Sequence, residues 1–377
     1  MTTTRISWID NAKFIAITCV LLGHSFSLIK GDFCGYDDFN LFIVAFNMPL
    51  FALLSGFTSY KSLTRIYTVF DLFSYLNKIA WHLGVPTVIY TLIAMSIGYG
   101  MQLRWDRCIL STILLTIVCL LIYLLIFSKY SSKLEKARLF FPYLILPVCL
   151  ANQSVWYFVY VLFSLFAAAL SAYMSTKIRK NKRLLFCICF ALISWVFAYF
   201  SPFYSTVEFY VPFIVGFIYS SYKGLTPPLS SNRIILCGII ISCGIIGFLS
   251  FINYYSVANQ FYLFNLPQTV ESDQFMIFVL RQISAISLSL AIVALVQILS
   301  KSYGYISIIG AMTFGIYPIH SEIIGITKNL LGKITMGHTG LDIMFVIATA
   351  VVLMLISVLL IRGIRKSKYC KLILLGE

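Results

Sequence analysis

The sequence predicts an all-α polytopic membrane protein, a bundle of about 10–12 transmembrane helices, and its composition, apolar runs and charge distribution support that fold class. Of 377 residues, 60% are hydrophobic and only 11% are charged, whereas a soluble domain carries about 25% charged residues. The mean hydropathy is +0.93. Too few polar side chains remain to cover a surface in water, which excludes a soluble enzyme, a secreted disulfide scaffold and a disordered protein.

The apolar residues are gathered into runs of the length that a bilayer requires, about 17–25 residues per helix. These runs are 13–30, 41–59, 83–100, 109–128, 154–175, 184–200, 208–222, 233–252, 275–300, 305–325 and 342–363. A shorter stretch, 139–152, contains two prolines and either crosses as a broken helix or enters and leaves on one face. No soluble domain fits between the runs, so residues 1–377 are predicted to form one integral-membrane domain.

The basic residues give the orientation, because cytoplasmic loops of membrane proteins are enriched in Lys and Arg. If the N-terminus is inside and every run crosses, including 139–152, 22 of the 28 Lys and Arg residues lie on the inner side. Both termini are then cytoplasmic, in an inner cell membrane. The net charge of +15 is therefore explained by the membrane topology, in which basic residues collect on the inner side. Its spread over many short loops argues against nucleic-acid binding, and the scattered Cys and His residues predict no metal site.

The first run carries the sharpest candidate for chemistry, because ionisable residues within a membrane span are costly and are functional candidates by default. His24 follows Lys13 by eleven residues, which is about 16 Å along a helix and nearly the same face. Asp10, just before the predicted helix, lies close to that stripe. The pattern suits an extended anionic ligand that enters from the cytoplasm. Alternatively, Lys13 only reaches the membrane surface and His24 bonds a neighbouring helix.

Two further segments carry candidates near the inner face. In residues 46–57, Pro49 frees a backbone carbonyl, and Ser55 followed by Gly56 permits close helix approach; this pattern is more often packing than a site. In residues 77–86, Lys78 and His82 are four apart, hence on one helical face, and could hold phosphates. Both are equally well explained as ordinary basic residues of an inner loop.

The remaining candidates are isolated polar residues. Tyr317 and His320 lie near the outer end of their run, where such residues commonly anchor a helix at the interface. Arg281 lies within a run and needs a partner, either structural or in a site. Trp156 follows a polar stretch and is explained first as an interfacial anchor.

In order along the chain, these motifs resemble the integral-membrane acyltransferase 3 family, most closely the fucose 4-O-acetylase-like branch of sugar O-acetyltransferases. The matching segments are R-x-x-WID-x-x-K-x10-H, F-x-MPLF-x-x-x-SG, the basic pre-helix segment that ends in Pro, VWYFVYVLF, FYVPFIVGFIY and IYPIH. They run across residues 5–320; the N-terminal motifs are specific and the later ones looser. Members of this branch often have His where this chain has Asn47, and Trp81-His82 replaces the usual second Arg of the pre-helix segment.

The resemblance implies an O-acetyltransferase that moves an acetyl group from cytoplasmic acetyl-CoA to a hydroxyl of a surface glycan or a lipid-linked sugar precursor. Acetyl-CoA is then a substrate, and no cofactor is bound permanently. The family's motifs assign catalysis to His24 with Asp10, and donor binding to Lys13, Lys78, His82 and Ser55. Asn47, Trp156, Arg281, Tyr317 and His320 are candidates for substrate binding. The competing function is a transporter or flippase of a lipid-linked sugar, and a homo-oligomer in the bilayer is left open.

Overall fold

A computed structural model describes residues 6–29, 36–96, 165, 168–169, 172–173, 210–223, 229–258, 271–299, 304–331 and 339–376. These residues are about 91% helical and contain no β-strand, which confirms the all-α prediction for this part of the chain. The predicted runs 109–128, 139–152 and 184–200, and most of 154–175, lie outside the described residues.

The helices follow the apolar runs closely. They are α1 (Ser7–Phe26), α2 (Tyr36–Leu63), α3 (Val69–Ile79), a π-helical turn (Ala80–Gly84), α4 (Val85–Ser96), α5 (Tyr210–Lys223), α6 (Arg233–Ala258), α7 (Glu271–Leu299), α8 (Gly304–Gly310), α9 (Thr313–Leu331), α10 (Thr339–Ile364) and α11 (Lys368–Leu375).

Four of the described helices are long and apolar enough to cross a membrane: Phe39–Leu63 in α2, Arg233–Asn253 in α6, Met276–Leu299 in α7 and Gly340–Ile364 in α10. Only 22% of the α6 window and 28% of the α10 window is buried within the protein. Isoleucine, leucine and valine side chains are exposed along both helices. Such a surface is unfavourable in water but is suited to lipid. The total number of spans and the side of the membrane that holds the termini remain predictions.

Two helix boundaries differ from the sequence prediction. Helix α1 begins at Ser7, so Asp10 lies in its first turn and not before the helix; a carboxylate is favourable there because it faces the positive end of the helix dipole. The predicted run 305–325 is divided into α8 and α9 at Ala311–Met312. A Cβ at Gly310 would overlap the backbone carbonyl of Asp10, so α8 ends where it meets α1.

Helix α2 is the central element, with 72% of its membrane window buried; it packs against α1, α5 and α7. At its crossing with α5 the two backbones touch through a pair of glycines. A Cβ at Gly56 would overlap the carbonyl oxygen of Phe213, and a Cβ at Gly216 would overlap that of Leu53. The close approach predicted for the Ser55-Gly56 step is therefore present.

Helices α1 and α2 run antiparallel. The Trp8 and Phe57 rings meet edge to face at 5.5 Å, whereas at the other end a Cβ on Gly23 would come within 2.9 Å of the Asn40 side chain. The C-terminal helix α11 packs against α4, α9 and α10. Its last residues share a cavity with the C-terminal part of α2, so the start of α1 and α11 lie at the same end of α2.

The connection from α2 to α4 is shaped by local capping and by a proline. Thr68 and Asp71 cap α3 reciprocally: the Thr68 N–H donates to the Asp71 carboxylate at 2.9 Å, and the Asp71 N–H donates to the Thr68 hydroxyl at 3.0 Å. Hydrogen bonds from Thr68 and Tyr67 lower the pKa of Asp71. After α3 the chain widens into the π-helical turn. Pro86, at the start of α4, has no N–H to donate to the carbonyl of His82.

Candidate functional site

A cavity of about 470 Å³ opens at the end of the bundle where α2, α3 and α11 meet. Its size falls within the range of small-molecule sites, about 300–1,000 Å³. The residues that line it are Ser55, Thr58, Ser59, Ser62, Tyr75, Lys78, Ile79, His82, Leu83, Leu165, Phe314, Leu375 and Gly376. Three of the residues predicted to bind the donor, Ser55, Lys78 and His82, are therefore brought together in one cavity.

The α2 wall of the cavity is a row of hydroxyl groups. Ser55, Thr58, Ser59 and Ser62 lie at spacings of three and four residues, which places them on one face of the helix. The hydroxyls of Thr58, Ser59 and Ser62 donate to backbone carbonyls one turn earlier, at 2.8–3.2 Å. The oxygens of Thr58 and Ser59 can accept hydrogen bonds from a ligand, whereas Ser62 is also hydrogen-bonded to Tyr75.

The opposite wall supplies a lysine, a histidine and a phenol. Lys78 lies in the last turn of α3, and His82 lies in the π-helical turn that follows; both side chains are exposed. Burial raises the pKa of Tyr75 to about 12, and its hydroxyl is hydrogen-bonded to the side chain of Ser62. This wall can bind negatively charged groups.

The C-terminal segment closes the third side. The Nδ1 of His82 is hydrogen-bonded to the carbonyl oxygen of Gly376, and because a carbonyl only accepts, Nδ1 carries the proton. Gly376 adopts a left-handed conformation with φ +63°, and a Cβ there would overlap the His82 carbonyl. Leu375 is buried and lies against Gly315. Helix α11 is thereby fixed to the π-helical turn and to α9.

A second polar cluster joins α1 to α9. The ring centroids of His24 and His320 are 5.1 Å apart, and those of His320 and Tyr317 are 5.6 Å apart. His24 lies in the last turn of α1 and its side chain is exposed, whereas His320 is 0% exposed. The Nδ1 of His320 donates to the carbonyl of Ile316 at 3.0 Å. Two candidates from the C-terminal region, Tyr317 and His320, therefore lie beside the predicted catalytic histidine.

Helix α9 connects the cavity with this histidine pair. Phe314 lines the cavity, and His320 follows six residues later, about 9 Å along the helix at 1.5 Å per residue. The separation predicted between Lys13 and His24, about 16 Å along α1, is also retained because both residues belong to one uninterrupted helix. Helix α9 therefore contributes both to the cavity lining, through Phe314, and to the histidine pair, through His320.

The other predicted residues lie outside these two groups. Asp10 is buried and Lys13 half-buried in α1, and neither lines the cavity. Asn47 is buried in α2, where its side-chain oxygen accepts from the N–H of Met48 at 2.6 Å. Arg281 is half-buried in α7 and also does not line the cavity. Trp156 lies outside the described residues.

The cavity also contains residues that the sequence prediction did not name. The hydroxyl row Thr58, Ser59 and Ser62 could have been found from its spacing after Ser55. Leu375 and Gly376 had no such signal, because their role depends on a contact with His82, 294 residues away in the chain.

A family model described as an acyltransferase domain, that of the acyltransferase 3 family, matches residues 6–362. The match includes both histidines of the pair and all of the cavity lining except Leu375 and Gly376. No curated protein and no solved structure gives a significant match to the chain.

Proposed function

The chain belongs to the acyltransferase 3 family and is a membrane acyltransferase, and on that premise we propose that it is an O-acetyltransferase. The donor is cytoplasmic acetyl-CoA, and the acceptor is a hydroxyl of a surface glycan or of a lipid-linked sugar precursor. The observation that carries the proposal is the connection along α9 between the cavity that contains Lys78 and the His24–His320 pair. This arrangement suits a donor with an anionic head and a reactive far end.

We place the cavity at the cytoplasmic face of an inner membrane. Lys61, Arg65 and Lys78 lie in or close to α2 and α3 at this end, and the basic residues of the α10–α11 junction approach it through α11. Cytoplasmic ends of membrane helices are enriched in Lys and Arg. This orientation puts both described ends of the chain inside and gives the cavity direct access to coenzyme A.

Donor binding follows from the chemistry of the cavity walls. Lys78 donates charge-assisted hydrogen bonds to the phosphates of coenzyme A. The pantetheine arm then extends along α9 past Phe314, so that the thioester reaches His24. Lys13 contributes a further positive charge on the approach along α1.

The transfer step needs one base and one acid, and His24 can serve as both. Its neutral imidazole removes the proton from the sugar hydroxyl as the hydroxyl oxygen attacks the thioester carbonyl carbon. The tetrahedral intermediate collapses with cleavage of the C–S bond, and the imidazolium returns the proton to the departing sulfur. The products are an O-acetyl sugar and free coenzyme A.

The proposal is tested with full-length protein reconstituted in lipid nanodiscs. Acetyl-CoA is added together with the lipid-linked glycan fraction of the host, and free thiol release and O-acetyl NMR signals of the glycan are followed. Acetylation requires both signals to rise together and to depend on the protein. A transporter would move the lipid-linked sugar while leaving acetyl-CoA intact, and that result would overturn the proposal.

A further inference from the structure

The ring of His320 is held in one tautomer by the helix that carries it. Its Nδ1 lies 3.0 Å from the carbonyl oxygen of Ile316, and because that oxygen only accepts, Nδ1 carries the proton. In the neutral ring the second nitrogen, Nε2, is then a hydrogen-bond acceptor.

This acceptor has no protein partner in the described ranges of the chain. The His320 side chain is 0% exposed, and no hydrogen bond to its Nε2 is formed within those ranges. A buried polar atom left in this state is costly and uncommon in folded proteins. The site therefore has unused capacity to accept one hydrogen bond.

Two described rings lie against the His320 ring, and by centroid distance that of His24 is the nearer. The two ring centroids are 5.1 Å apart and the ring planes are inclined by 56°. A separation of this size is what two imidazoles give when they share an N–H···N hydrogen bond of about 3 Å. The His24 ring is exposed, so it has room to rotate toward this acceptor.

We propose that His320 is a positioning residue for His24, which accepts a hydrogen bond from the N–H of the catalytic imidazole. The inference rests on the proposed function, in which His24 is the base. With one His24 nitrogen donating to His320, the other nitrogen must hold its lone pair toward the sugar hydroxyl. When His24 takes the hydroxyl proton, the bond to His320 stabilises the imidazolium; His320 itself gains no proton, and the transferred proton leaves with sulfur.

Tyr317 is a second aromatic neighbour of His320. Its ring meets the His320 ring nearly edge to face at 5.6 Å, and it is itself buried. The His320 side chain is thus restrained by its own helix backbone and by an aromatic neighbour, as expected of a group that orients another.

Two substitutions separate positioning from packing. His320→Gln places a carbonyl acceptor near the position of Nε2 but removes the donor to Ile316. His320→Asn retains a donor near the position of Nδ1 and removes the acceptor. We expect kcat to fall about 100-fold or more in His320→Asn and to stay within about tenfold of wild type in His320→Gln, with KM for acetyl-CoA unchanged in both.

A purely structural role predicts the opposite order, because only the Asn variant retains the bond to the helix backbone. Equal activities of the two variants, or a more active Asn variant, would overturn the inference. Thermal unfolding of both proteins in nanodiscs shows whether a loss of activity is a loss of folding.

A spectroscopic measurement keeps the inference separate from the proposed function. In protein labelled with 15N-histidine, the ring nitrogen shifts report tautomers, and the His24 signals are assigned from their absence in His24→Ala. We expect one His24 tautomer in the wild type and in His320→Gln, and a mixture in His320→Asn. A mixture already present in the wild type would contradict the inference even if acetyl transfer is confirmed, whereas a single tautomer without acetyl transfer would contradict only the proposed function.

Discussion

Lys78 is the cation that the structure places in the cavity wall, whereas Lys13 lies deeper in α1 and does not line it. The two lysines have similar status in the sequence, since both lie at the inner mouth of a predicted helix. Their separation in space divides donor binding into an anchoring charge at the cavity and a second charge on the approach to His24.

Replacement of Lys78 tests the anchoring charge. Lys78→Ala removes hydrogen bonds to phosphate that are worth about 1.5–3 kcal/mol when charged, so KM for acetyl-CoA is expected to rise between about tenfold and 100-fold. At saturating donor, kcat should stay close to that of the wild type. Lys61→Ala is the matched control, because Lys61 is an exposed lysine of α2 that does not line the cavity. Equal effects of the two substitutions would show that only general charge attraction is involved.

At the scale of single elements, the crossing of α2 and α5 positions the hydroxyl row. Gly56 follows Ser55 directly, so any displacement of α2 from α5 also moves the wall of the cavity. The sequence predicted a close approach at Gly56, but it could not identify the partner helix, because the contact of Gly56 with Phe213 joins distant parts of the chain.

Gly56→Ala and Gly216→Ala are expected to destabilise the protein by about 1–3 kcal/mol each, because the added methyl group overlaps a backbone carbonyl that cannot move aside. Lower thermal unfolding temperatures in nanodiscs measure this effect. Gly238→Ala in α6 is the control, since no atom of the described residues lies within 4 Å of a Cβ at that position. If all three variants unfold at the same temperature, α2 and α5 do not cross at Gly56 and Gly216.

Helix α11 is the element that the sequence did not predict as part of the site. It lies beyond the residues matched by the family model, which end at residue 362, yet Leu375 and Gly376 line the cavity. A short helix with exposed Tyr369, Leu372 and Ile373 has no signal in sequence that distinguishes a docked wall from a surface segment.

Gly376→Ala is expected to release this wall. An alanine at φ +63° is strained by about 1–2 kcal/mol, and its methyl group also overlaps the His82 carbonyl. Faster tryptic cleavage after Lys371, with a severalfold rise in KM for acetyl-CoA, is the expected result. Gly363→Ala provides the comparison, because no atom of the described residues lies within 4 Å of a Cβ at that position. Unchanged cleavage and an unchanged KM in Gly376→Ala would mean that α11 is not a wall of the donor site.

For the molecule as a whole, hydropathy was sufficient to predict α2, α6, α7 and α10, because a bilayer imposes length and apolarity on every helix that crosses it. It could not predict the break between α8 and α9, which arises where Gly310 meets the backbone of α1. Helix ends that depend on a tertiary contact leave no trace in a hydropathy profile.

The site was predictable only in part for the same reason. The Lys13–His24 spacing indicated a candidate base, since both residues belong to one helix. The pairing of His24 with His320 joins opposite ends of the chain, and only the packing of α1 against α9 reveals it. From the sequence, His320 was a candidate for substrate binding, whereas the structure places it beside the candidate base.

The most direct test of the account is the transfer of labelled acetyl from acetyl-CoA to the glycan by wild-type protein and by His24→Gln, both in nanodiscs. Thr18→Ala, in the same helix, is the control, because its hydroxyl donates to the Phe14 carbonyl of α1. Removal of the base is expected to lower kcat by about 100-fold to 10,000-fold, with donor binding and unfolding temperature unchanged and with Thr18→Ala fully active. A folded His24→Gln protein that acetylates the glycan at the wild-type rate would contradict the account.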